Sequence, residues 1–147
     1  MNDKYILLVE DDPNDELLTL HALQENRIRN NVVVTRDGAA ALDYLFSTGP
    51  NEGKPLPDLP QFVLLDLKLP KIDGIEVLQA LRKHSRTRLL PVIIFTSSKQ
   101  EKDMINGYRL GANSYVRKPV DFTEFAKAVK ELNLYWMVLN EKAPGQA

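Results

Sequence analysis

Short apolar runs alternate with amphipathic stretches along this chain. Tyr5 to Val9, Val32 to Val34, Phe62 to Leu65, Val92 to Phe95 and Tyr115 to Val116 are brief and continuous, the pattern of strands buried on both faces. Between them, apolar residues recur at spacings of three and four: Leu17, Leu18, Leu20 and Leu23, then Ala41, Leu42, Leu45 and Phe46, then Ile75, Val77, Leu78 and Leu81. That spacing predicts helices with one buried face. A weaker helical pattern covers Glu101 to Tyr108, and a longer one begins after Asp121, a suitable N-cap, and runs through Phe125, Val129, Leu132, Trp136 and Leu139. Five strands alternating with helices imply right-handed crossovers and an α/β domain with a central parallel sheet covered on both faces. Ser47 to Pro60, rich in Pro and Gly and without a period, reads as a long surface loop between the second helix and the third strand.

Composition adds exclusions. The 147 residues suit one domain with a core of its own; 44% hydrophobic and 27% charged is an ordinary globular balance. A formal net charge of -1 creates no field for holding a nucleic-acid backbone, so nucleic acid is not an expected partner. With no cysteine, thiolate metal sites, thiol nucleophiles and disulfides are excluded. The apolar run in MNDKYILLVEDD is too short for a signal-peptide core, and no stretch approaches the roughly 20 apolar residues that span a bilayer, so the expected location is cytoplasmic, away from the membrane.

The acids fall at informative places. Glu10, Asp11 and Asp12 follow the first strand and Asp66 follows the third. In a parallel sheet these are the same edge, where ligands of such folds bind. Carboxylates brought together repel unless a cation or protons intervene, and an oxygen donor set suits Mg²⁺. Thr96 and Ser97 follow the fourth strand with hydroxyl donors, and Lys118 follows the fifth with a positive charge. An acid cluster, Mg²⁺, a hydroxyl and a lysine together suit phosphoryl transfer, with Asp66 as the nucleophile. Each element alone has a plainer reading: Asp11 and Asp12 before Pro13 and Asn14 suit helix capping, Thr96 a turn, and Lys118 a solvated surface. The conjunction at four strand ends carries the functional reading.

The segments ILLVEDDP, LLDLKLPKIDG, IIFTSS and SYVRKPVD, in this order, resemble the receiver domains of two-component response regulators over Lys4 to Leu139. The resemblance implies a doubly wound (βα)5, flavodoxin-like fold, with the receiver domain over 4–139 and a short tail over 140–147. It implies that Asp66 is the phosphoacceptor, that Asp11, Asp66 and the backbone carbonyl of Lys68 bind Mg²⁺, and that Glu10 acts through water. Asp12 is either an outer ligand or a cap. By the same resemblance Thr96 and Lys118 contact the phosphoryl group, and Thr96 with Tyr115 forms the switch. Lys68 also puts a cation at the pocket mouth, where it could influence phosphoryl stability or partner choice. The long Pro-rich loop, ALDYLF and KPVDFTEFAKAVKELNLYW further resemble single-domain regulators paired with phytochrome-type histidine kinases, implying such a kinase as partner and output through association.

Other readings fit less well. An aspartate-nucleophile phosphatase needs a second acid where Lys68 stands, so turnover of external phosphoesters is not expected. A flavodoxin-like cofactor binder needs a phosphate-cradling loop where the acids stand. A phosphorylation-independent adaptor would not need so complete a pocket. His21 and His84 are each single helical histidines and receive no role, and Lys83 to Arg88, KHSRTR, reads as a solvated helix end. The run Leu132 to Leu139 is apolar almost all round, which predicts a homodimer through Leu132, Tyr135, Trp136 and Leu139.

Overall fold

The computed structural model describes residues 5–25, 31–96, 106, 108–112 and 114–117, with backbone alone for residues 22, 25, 95, 96 and 114–117. The described chain runs β1 (Tyr5–Val9), α1 (Pro13–Glu25), β2 (Asn31–Thr35), α2 (Gly38–Phe46), a 3-10 turn at Gly49–Asn51, β3 (Phe62–Leu65), α3 (Gly74–Lys83), β4 (Val92–Thr96) and β5 (Ser114–Arg117). All pairings are parallel and the strand order is β2-β1-β3-β4-β5. This is the doubly wound α/β architecture, and β1 and β3 match their apolar runs residue for residue.

Alternation along the strands sends side chains to two faces. Leu7, Val9, Val63, Leu65, Val92 and Ile94 join Ala41 and Leu45 of α2 and Val77, Leu78 and Leu81 of α3 in one cluster. Ile6, Leu8, Phe62, Leu64 and Ile93 face the opposite way and are equally buried. Each such aliphatic side chain removed from water contributes about 1.5–3 kcal/mol, which is why the central strands tolerate no polar position.

Local chemistry sets the helix ends. Asp37 and Asp73 cap α2 and α3, accepting the backbone N–H of Ala40 at 2.6 Å and of Glu76 at 3.0 Å. The buried positions Gly74, Val77, Leu78 and Leu81 of α3 fall at helical spacing. In α1 the sequence reading needs correction. Thr19 and Leu23 are buried, whereas Leu17 and Leu18 are 65% and 46% exposed. Four residues separate Thr19 from Leu23, so they share a face, and Thr19 satisfies its hydroxyl by donating to the Asp15 carbonyl at 2.8 Å.

The Ser47 to Pro60 segment lies largely exposed, but its distal half is docked. Tyr5 donates its hydroxyl to the carbonyl of Asp58, Arg86 donates to the carbonyls of Pro57 and Leu45, and Leu59 and Pro60 are buried. Lys83 to Arg88 is therefore more than a solvated helix end. α3 stops at Lys83, Thr87 is fully buried with its hydroxyl donating to the Leu81 carbonyl, and His84 packs on Phe46 with ring centroids 4.5 Å apart. Of the helix expected over Glu101 to Tyr108, Asn106 and Tyr108 are helical; the rest, the helix after Asp121 and the tail lie outside the described residues. No helix among the described residues is long and apolar enough to cross a membrane.

Candidate functional site

Parallel pairing builds the site. Val9 is in register with Leu65, so the residues that follow them, Glu10 and Asp66, leave neighbouring strands at the same edge. The Asp66 N–H donates to the Val9 carbonyl at 3.2 Å, and the Glu10 N–H to the Thr35 carbonyl at 3.0 Å. Ladder hydrogen bonds thus hold the backbone of both acids rigid up to the residue that carries the carboxylate. Glu10 is 1% and Asp66 6% exposed, while Asp11 stands in solvent.

Glu10, Asp11 and Asp66 each offer a carboxylate oxygen, and these atoms lie within 4.8 Å of one another. Three carboxylates so close, two of them buried, repel strongly unless positive charge is supplied. A set of oxygen donors without nitrogen or sulfur selects hard divalent cations such as Mg²⁺ or Mn²⁺, so the cluster could hold a metal ion. Asp12 is turned to other work. Its Oδ1 accepts the N–H groups of Asn14 at 2.8 Å and Asp15 at 3.2 Å, capping α1, and its own N–H donates to Glu10 Oε2 at 3.2 Å. Asp66 Oδ1 accepts the Lys68 N–H at 3.1 Å.

The loop after Asp66 is shaped by close approach. A Cβ on Gly74 would meet the Asp66 carbonyl oxygen at 2.2 Å, and one on Gly38 would meet the Ile72 carbonyl oxygen at 2.0 Å. Lys71, at φ 67°, lies 3.5 Å from Asp37 through its ammonium. Loop, α2 and α3 are thereby packed backbone to backbone. The sequence reading did not single out Gly74, although an Asp-Gly pair opening an apolar period marks such a helix start.

The remaining candidates are placed by backbone only or not at all. β4 ends at Thr96, opposite Arg117 of β5, and Tyr115 is opposite Ile94. Thr96 therefore ends its strand at the same carboxyl edge of the sheet as Asp66. Lys118 and the residues expected at a dimer interface, Leu132, Tyr135, Trp136 and Leu139, lie outside the described residues.

A doubly wound sheet with an acid cluster at its carboxyl edge agrees with comparison to known proteins. Residues 6–130 match the response regulator receiver domain, and the chain belongs to that family, whose members are phosphorylated by a kinase. It is 39% identical over 142 residues to the probable methanogenesis regulatory protein FilR2 of Methanothrix harundinacea, covering 97% of this chain and 88% of that one. It is 37% identical over 134 residues to the response regulator Rcp1 of Synechocystis, covering 91% and 89%. The Mn²⁺-bound structure of Rcp1 superposes with a TM-score of 0.83 over 95% of this chain and 99% of that one. The bacteriophytochrome response regulator AtBRR is 50% identical, with a TM-score of 0.75 over 96% of this chain and all of that one.

Proposed function

We propose that this response regulator takes a phosphoryl group onto Asp66 from a histidine kinase of the phytochrome type. The observation that carries the proposal is the Glu10, Asp11 and Asp66 cluster at the ends of β1 and β3. An Asp66 carboxylate oxygen attacks phosphorus, the phosphorus–nitrogen bond of the phosphohistidine breaks, and its electron pair returns to the imidazole, which takes up a proton. Asp11, Asp66 and the Lys68 carbonyl would hold Mg²⁺, with Glu10 acting through water. When bound, that ion supplies charge neutralisation to the transferring oxygens.

Lys118 pairs with the phosphoryl oxygens and Thr96 donates to them. The product carries about two negative charges, enough to bias Thr96 and Tyr115 toward a second arrangement. Signal then passes by association, including a homodimer through Leu132, Tyr135, Trp136 and Leu139. The protein works in the cytoplasm and turns over no external substrate.

The phytochrome-type partner rests on likeness to AtBRR, a bacteriophytochrome response regulator. The 39% identity to FilR2, named for methanogenesis regulation, favours a second reading in which the kinase senses something other than light. Phosphotransfer from a panel of histidine kinases separates them: fast transfer from a phytochrome-type kinase alone supports the first. For Asp66 itself, a small acyl-phosphate donor with Mg²⁺ should add one phosphoryl group by mass, and Asp66→Asn should add none. Full labelling of that variant overturns the assignment.

A further inference from the structure

Glu16 and Arg36 stand 20 residues apart in sequence and meet in a two-pronged bond: Arg36 Nε donates to Glu16 Oε1 and Nη2 to Oε2, each at 3.0 Å. Two parallel bonds define an orientation as well as a contact. The Glu16 side chain is 14% exposed and that of Arg36 67%, so the pair rests on the shielded side of α1 and is reached from outside.

Its place in the fold is what matters. Arg36 directly follows Thr35, whose carbonyl receives the Glu10 N–H and whose hydroxyl donates to the Leu8 carbonyl at 3.4 Å. Glu16 lies in the first part of α1, and its N–H donates to the Asp12 carbonyl at 2.9 Å. The turn Glu10 to Asp12 is thus bounded by the β2 edge on one side and by α1 on the other. Arg36 and Glu16 join those two boundaries directly.

We infer that the Glu16–Arg36 pair is a positioning device for the cation site, holding α1 against the end of β2 so that Asp11 stands beside Glu10 and Asp66. This rests on the cation reading above. Neither residue belongs to the cluster, and both act through the turn between them.

Simple charge makes the opposite prediction for one partner. A cation near a cation site weakens binding, so removing Arg36 for electrostatic reasons alone would strengthen uptake. Positioning requires that it weaken. Mg²⁺ affinity is measured by calorimetry at low ionic strength for the full chain, for Glu16→Gln, for Arg36→Met and for the exchange Glu16→Arg with Arg36→Glu; circular dichroism checks that each is folded. Both single variants should bind about two- to fivefold more weakly, the range open to a partly exposed ion pair, and the exchange should recover affinity. Arg36→Met binding as tightly as the native chain or more tightly, with the native chain binding normally, overturns the positioning role alone. A native chain that takes up no Mg²⁺ overturns the cation reading and the pair's role together.

Discussion

Gly74 lies so close to the backbone of Asp66 that an added Cβ would sit 2.2 Å from the Asp66 carbonyl oxygen and 2.6 Å from the Cα of Leu67. The Gly74 N–H also donates to the Leu67 carbonyl at 2.9 Å. The start of α3 and the residue proposed to accept phosphate are therefore one packed unit, and a change in either moves the other.

Gly74→Ala should destabilise the fold by about 1–3 kcal/mol, since the clash is with backbone that has nowhere to retreat. Phosphoryl uptake at Asp66 should fall with it. Denaturant unfolding and acyl-phosphate labelling measure the two; a variant of native stability and native labelling would show that the loop relaxes freely.

Asp11→Ala should weaken Mg²⁺ or Mn²⁺ binding by about tenfold or more, because it removes one of three converging carboxylates. Asp12→Ala should instead cost about 1 kcal/mol of stability through the lost cap, with a smaller change in cation affinity. Calorimetric titration of both variants distinguishes ligand from cap.

Burial, followed by the hydrogen bond shared with the Tyr44 hydroxyl, holds the Tyr5 phenol well above the ordinary tyrosine range. The folded state favours the protonated phenol, so this contribution to stability is complete below the unfolded value near pH 10 and is lost as pH rises further. In an alkaline absorbance titration of the chain's 5 tyrosines, one should resist ionisation until the protein unfolds. Tyr5→Phe should remove that resistant phenol and flatten the loss of stability at high pH.

Tyr135→Asp with Trp136→Asp should convert a dimer to a monomer in light scattering across a concentration series, with circular dichroism unchanged. Burying such aromatic anchors contributes on the order of 2 kcal/mol each. A native chain that stays monomeric at high concentration, phosphorylated or not, would remove the homodimer.

The strands were legible in the chain because burial on both faces demands continuous apolar runs, and so was the edge at which Glu10, Asp11 and Asp66 emerge, since parallel strands end together. Their family was legible from the motifs around those acids. Apolar spacing marked the buried face of α3 and the position of Leu23, but in α1 the leucines spread round the helix, so that a buried Thr19 and exposed Leu17 and Leu18 were decided by docking. The same holds for the Glu16–Arg36 fork, the grip of Arg86 on the Pro57 carbonyl and the contact of Gly74 with Asp66. The first two join residues 20 and 29 apart in sequence, the third closes the short loop between β3 and α3, and all three sets of partners become neighbours only when helices pack onto the sheet. Local propensity determined the elements and the edge; long-range packing determined the distances on which the site's chemistry depends.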